Sequence, residues 1–336
     1  MRVVVLTTSY PTPQHPVAGN FVEAAVEGVR ARGVDVDVVS PASFARFGIA
    51  YGDGIAQNLR RAPWRLAFVP GFVAAYSLAA RRAARDADLV HAHWIPSALA
   101  ARATGKPYVL QVWGTDVELA RRAPALVRPL VRAARLVVAA SSYLAGEARA
   151  LGAQNVEVVP AAVEVPGHVG RPADPPHVLF AGRLSEEKGI LEFLDATAGL
   201  PRVIVGDGPL RQRVPEAVGF APPSEMGAYY ERAAVVCTPS RREGYGMVAR
   251  EAMAHARPVV ATRVGGLADL GEGAVLVEAD GLRDAIASLL DDPARRESLG
   301  ARARETAIAS FSPQASTEAL LAAYRFATQI ATPPAS

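Results

Sequence analysis

The chain has 336 residues, half of them hydrophobic, and a mean hydropathy of +0.14, which is more than one ordinary core accommodates and points to two domains. Its single cysteine, Cys237, excludes an internal disulfide and a cysteine-rich metal site. Residues 1–165 carry 18 Lys and Arg against 12 Asp and Glu, a net of +6, and the remainder 18 against 21, a net of −3. An anionic partner such as a membrane surface or acidic substrate would therefore meet the first half, unless the arginines simply reflect a biased composition.

The opening run Met1–Leu6 turns polar at Thr7, too early for a signal peptide. The apolar tract 66–80 is interrupted by Pro70 and Gly71 and falls short of the ~20 residues a spanning helix needs. The expectation is a soluble, cytoplasmic protein. No aromatic–basic nucleic-acid module is present, so no nucleic-acid partner is expected.

In chain order, strands are predicted at 2–8, 34–39, 88–93, 107–112, 135–140 and 156–159. A Pro-rich loop from Ser9 to Gly19 follows the first, and Asn20 is placed as the cap of a helix reaching about Arg32. Segment 164–176 is rich in Pro and Gly without apolar periodicity and reads as a linker. The pattern restarts with strands at 177–181, 202–205, 217–220, 234–238, 258–262 and 274–277, then helices at 280–290, 293–310 and 313–330. Repeated strand–helix units imply parallel sheets covered on both faces, with ligands at the C-terminal ends of the strands.

The residues after the strands carry the chemistry. Strand 178–181 runs into Gly182-Arg183-Leu184-Ser185-Glu186-Glu187-Lys188-Gly189, where a guanidinium fork and an ammonium could grip a diphosphate. Gly206-Asp207-Gly208-Pro209 follows strand 203–205 and is equally a plain tight turn. Strand 235–239 leads through Glu243-Gly244-Tyr245-Gly246 into a helix predicted from Met247 to Ala256. Its open first amides favour an anion, and Glu243 and Glu251 frame it for a hydroxyl-rich ligand. Val264-Gly265-Gly266-Leu267 is a further glycine loop on the same face.

In this order these motifs resemble the second domain of a retaining glycosyltransferase of the group 1, family 4 type, most strongly over residues 177–270, with the Glu-x7-Glu spacing of Glu243 and Glu251 the most specific element. The resemblance implies a GT-B fold: two Rossmann-like, doubly wound parallel-sheet α/β domains facing a central cleft. It places them at 1–163 and 177–312, with helix 313–330 crossing back to the first.

It further implies that Arg183 and Lys188 hold the diphosphate of a UDP- or GDP-sugar, that Glu243 contacts the sugar, and that Glu251 contacts the ribose hydroxyls. The amides of Gly246, Met247 and Val248 would meet the distal phosphate. In the first half, Gly19 matches a glycine that approaches the phosphates, although Ala18 stands where the family often has another glycine. His91-Ala92-His93-Trp94 resembles a His-x-His segment facing the reacting sugar and the acceptor; His93 is favoured for the sugar, with His91 equally a core histidine. Trp113-Gly114-Thr115-Asp116 departs from the usual His-Gly-Thr-Asp, which denies Trp113 a proton-transfer role and leaves Asp116 as an acceptor-side candidate. The remaining histidines, at 15, 168, 177 and 255, have no partner at useful spacing.

The expected reaction is metal-independent transfer to a hydroxyl acceptor, because Arg183, Lys188 and the helix start already answer the leaving diphosphate. No cofactor is expected. Segment 54–85 sets Arg60, Arg61, Trp64, Arg65, Phe68, Phe72, Arg81 and Arg82 around an apolar middle. It reads either as a surface for an anionic membrane or as an ordinary packed helix. Two rivals stand beside the transferase: a catalytically silent sugar-nucleotide-binding protein, and a Rossmann-type oxidoreductase. The oxidoreductase lacks its Gly-x-Gly-x-x-Gly fingerprint after any strand.

Overall fold

Short apolar runs bounded by glycine or polar turns become strands buried on both faces. The computed structural model describes residues 1–51 and 54–329. Among these, eleven strands form two all-parallel sheets in two units.

The first unit comprises Met1–Ala162 and the chain from Ser316. Its strands are β1 (Arg2–Leu6), β2 (Asp35–Val39), β3 (Leu89–His93), β4 (Tyr108–Val112), β5 (Leu136–Ala139) and β6 (Val156–Val158), in the order β2-β1-β3-β4-β5-β6. Register sets Val5 beside His91, His91 beside Val109, and His93 beside Gln111. Helix Asn20–Arg30 buries Val22, Val26 and Val29, a spacing of one face, against a core that also holds Leu320, Leu321 and Tyr324.

Those last three come from helix Pro313–Gln329, which packs on the first unit; Ile330, the expected last residue of this helix, lies outside the described residues. The helix is tied down by Ser316 Oγ donating to Pro160 O at 2.8 Å and by Arg135 Nη1 donating to Ala327 O at 3.0 Å. In segment 54–85, helix Val69–Ala83 turns Phe72, Tyr76 and Ala80 inward, and Pro70 is tolerated because it sits in the first turn.

Asn20 is not the cap of its helix. Gly19 takes that position with φ 68°, and Asn20 is the first helical residue. A Cβ at position 19 would stand 2.3 Å from Ser9 O, so backbone contact selects glycine over a capping side chain.

The second unit, Val163–Ala315, has β7 (Val178–Ala181), β8 (Arg202–Val205), β9 (Val235–Thr238), β10 (Val259–Thr262) and β11 (Ala274–Val277), in the order β11-β10-β9-β7-β8. The strand predicted at 217–220 does not form. That stretch makes only two ladder-like bonds beyond β8, Val218 N to Ile204 O and Gly206 N to Gly219 O, and leaves Val218 59% and Phe220 72% exposed. Segment 164–176 forms no helix or strand. It is held to the second unit by Arg304 on Pro166 O, Arg257 on Gly170 O and Ala173 N on Arg232 O. The helix expected from Asp280 begins at Leu282, after a 3₁₀ turn at Ala279–Gly281.

Candidate active site

In the second unit the loops following β7, β8, β9 and β10 are stitched together through their backbones. Leu184, after β7, donates to Asp207 O and accepts from Leu210 N, both after β8. Arg241 N, after β9, donates to Glu187 O at 2.9 Å, and Gly266 N, after β10, donates to Glu243 O at 2.9 Å. Gly265 has φ 50°, and a Cβ there would lie 1.9 Å from Glu243 O, so the β9 and β10 loops approach as closely as only glycine permits.

This stitching brings two predicted donor residues into contact. Lys188 Nζ donates to Glu243 Oε2 at 2.6 Å, and Ser240 Oγ reaches the same oxygen at 3.3 Å. Arg183 is exposed and makes no ion pair or hydrogen bond among the described residues. Helix Met247–Ala254 starts at Gly246 with φ 87° and no capping side chain, which leaves its first amides open to an anion. Glu251, in its second turn, accepts a 2.5 Å bond from the Tyr230 hydroxyl. Burial raises the Glu251 carboxyl above its ordinary range, and the tyrosine bond opposes that rise.

Arg250, which sequence reasoning missed, lies fully buried beneath this loop. It donates to Tyr245 O and, at 3.2 Å, to Gly266 O, and its guanidinium lies 3.9 Å from the Tyr245 ring centroid and 4.7 Å from that of Phe311. It thereby ties the β9 loop to the β10 loop. The available signal was positional: residues 249, 250 and 253 share the core-facing side of the helix.

In the first unit, β3 ends in His91 and His93, whose alternation sends both rings to one side, with centroids 4.2 Å apart. His91 Nδ1 and the Tyr324 hydroxyl share a 2.7 Å hydrogen bond. Burial holds both imidazoles below their ordinary range, His91 at about 3, so both are neutral near pH 7. His93 is 1% exposed, and Trp113 Nε1 donates to its Nδ1 at 3.3 Å. Trp94 leaves the strand with φ 63°, a strained conformation for so bulky a residue, and caps helix Ile95–Ala103.

Asp116, an acceptor-side candidate, is occupied with its own backbone. One carboxylate oxygen accepts from Trp113 N at 3.1 Å and Gly114 N at 3.0 Å, the other from Ile95 N at 3.1 Å, clasping the ends of β3 and β4. At the opposite, N-terminal edge of this sheet, Arg2 engages Asp35 at 3.7 Å and Asp37 at 2.8 Å, and its amide donates to Asp88 at 2.8 Å. Those contacts commit three of the four carboxylates of the two Asp-x-Asp pairs, Asp35/Asp37 and Asp86/Asp88. Among the described residues no group of three or more His, Cys, Asp or Glu side chains is arranged to hold a metal, and no helix is long and apolar enough to cross a membrane.

Comparison with known proteins agrees with both halves. The family model for glycosyl transferases group 1 matches residues 175–292, and that for glycosyltransferase family 4 matches residues 18–165. A D-inositol 3-phosphate glycosyltransferase 1 from Catenulispora acidiphila is 31% identical, over 97% of this chain and 95% of its own. Among solved structures, sucrose-phosphate synthase from Thermosynechococcus elongatus superposes with a TM-score of 0.76 at 20% identity, covering 97% of this chain and 98% of its own. HepE from Anabaena, crystallised with UDP-glucose, gives 0.71 at 19% identity, covering 97% and 99%. Both superpositions extend over the two Rossmann-like sheets.

Proposed function

Since the chain belongs to the group 1, family 4 glycosyltransferases, we propose that it moves a sugar from a UDP- or GDP-sugar to a hydroxyl acceptor, with retention of anomeric configuration and without a metal ion. The observation that carries this reading is the Lys188–Glu243 pair beside the uncapped start of helix Met247–Ala254. Breaking the bond between sugar and phosphate leaves negative charge on the diphosphate and positive charge on the ring. Arg183, Lys188 and the amides at Gly246, Met247 and Val248 answer the first, and Glu243 the second. The Tyr230 bond orients Glu251 toward the ribose hydroxyls, and Gly19 brings backbone to the phosphates. His93 supplies the first unit's contact with the sugar. Because their polar atoms are engaged within the first unit, we assign Asp116 and the Nδ1 side of His91 to holding that end of the sheet.

A panel of UDP- and GDP-sugars, assayed with and without a chelator, tests the proposal. One donor is expected to turn over unchanged by chelation, and Lys188→Ala to lose roughly 10²–10³ in kcat, the usual scale for removing one group that stabilises leaving charge. Donor binding without turnover with any acceptor or water would favour a silent binding protein. Activity abolished by the chelator would reject metal independence.

A second reading concerns the acceptor. Trp64 is 65% exposed, Leu66 and Phe68 are exposed as well, and the exposed Arg60 and Arg61 precede them in the chain. Such a basic, aromatic face suits an anionic membrane carrying a lipid-linked acceptor. Pelleting with anionic vesicles at low salt is expected to carry the protein down, and Trp64→Ser with Arg60→Ser to leave it in solution. Failure of the unaltered protein to pellet would remove the membrane reading.

A further inference from the structure

An indole N–H can only donate, and here it points at a ring nitrogen. The Trp113 and His93 rings lie 14° from parallel with centroids 5.9 Å apart, and Nε1 stands 3.3 Å from His93 Nδ1. A nitrogen that accepts this bond carries no hydrogen, so the proton of the neutral imidazole sits on Nε2. His93 Nε2 has no hydrogen-bond partner among the described residues.

We propose that Trp113 is a positioning residue that locks His93 in its Nε2–H form, so that His93 serves the reaction as a hydrogen-bond donor to an oxygen of the transferred sugar and not as a base. The assignment of the sugar to His93 rests on the transferase reading above; the tautomer itself does not.

The surroundings support a fixed ring. Phe21 packs against Trp113 at 4.5 Å and against Trp94 at 5.7 Å between centroids, which closes an aromatic wall on one side of His93. The Asp116 carboxylate holds the Trp113 amide, so the indole is anchored through its own backbone. The groups that could compete for the His93 proton are His91, whose ring lies alongside and whose Nδ1 is already taken by Tyr324, and Asp116, whose oxygens are engaged by three amides. Neither offers His93 an alternative acceptor. The tryptophan at a position where related segments carry histidine is thus a replacement with its own function: it supplies an N–H that never titrates.

The test uses the full-length protein labelled with ¹⁵N-histidine, and long-range ¹H–¹⁵N spectra that distinguish protonated from bare ring nitrogens. His93 is expected to show a bare Nδ1 and a protonated Nε2 throughout pH 6–8. In Trp113→Phe, which keeps an aromatic ring but has no N–H, the ring should sample both tautomers. With the donor sugar, kcat should fall on the order of tenfold, the worth of one hydrogen bond, while the donor KM moves less than about threefold. Trp113→His, which can again present a ring N–H, should recover most of that loss and should guard against a mere folding defect.

A wild-type His93 protonated on Nδ1 overturns the proposal, as does a Trp113→Phe protein with unchanged tautomer. An altered tautomer with unchanged kcat overturns the functional half. If no donor turns over in the wild-type protein, the transferase reading fails while the ¹⁵N spectra still decide the tautomer.

Discussion

Arg250→Ala is expected to destabilise the second unit by about 3–5 kcal/mol, because two buried carbonyls lose their donor at about 1–3 kcal/mol each and the vacated volume adds a cavity cost. The two carbonyls belong to Tyr245 and Gly266, on different loops, so the change also loosens the seat proposed for the diphosphate. Arg250→Met separates the contributions. It fills most of the space between the Tyr245 and Phe311 rings but donates nothing, and should recover about 1–2 kcal/mol of the loss. Denaturant titration of both variants, read with tryptophan-independent far-ultraviolet dichroism, gives the stabilities; calorimetric titration with UDP and GDP gives the affinity. In Arg250→Ala, a stability within about 1 kcal/mol of wild type would show that the guanidinium is no tie between the loops.

Acidification should begin to destabilise the first unit above the range of ordinary carboxylate titration. In the unfolded chain His91 and His93 take up protons as pH falls through about 6.5. In the folded chain burial keeps both neutral, His91 down to about 3. Below pH 6.5 the unfolded state therefore binds more protons than the folded state, and stability declines. The contribution is fully present above the unfolded pKa and is lost at about 1.4 kcal/mol per pH unit for each ring. Going from pH 7 to pH 5.5 should thus cost on the order of 2–3 kcal/mol from this pair alone. Denaturant midpoints measured at half-unit steps would show the slope, and His91→Asn should roughly halve it. A flat profile between pH 7 and pH 5 would mean that the rings charge in place, contrary to their burial.

Much of the fold was legible in the sequence because buried parallel strands write themselves as short apolar runs, and all eleven of those described start and stop within two residues of the predicted limits. The donor loops were legible for a related reason: each motif begins where a strand ends, and Glu243, Lys188 and Gly265 converge through the backbone contacts their glycines allow. What escaped depended on tertiary neighbours. The apolar run Ala217-Val218-Gly219-Phe220 suggested a strand, but beyond the edge strand β8 it makes only two ladder-like bonds and leaves Val218 and Phe220 exposed. Asn20 looked like a cap until the Ser9 carbonyl required a glycine one residue earlier. Arg250 drew no assignment because a charge buried between two rings and two carbonyls has no signature in its immediate sequence. The bond between Trp113 and His93 joins residues 20 positions apart at the ends of neighbouring strands, which only register could reveal.

The placement of helix Pro313–Gln329 has a consequence for how the chain is made. Its Leu320, Leu321 and Tyr324 complete a core whose other members come from the first 160 residues. During synthesis that core emerges early but waits, its valines at 22, 26 and 29 uncovered, until this helix has been translated. The second unit, drawn from one continuous stretch, has no such delay. Domains ordinarily fold from the N-terminus as they leave the ribosome; here the later domain can finish first, and the earlier one closes around a helix made after it.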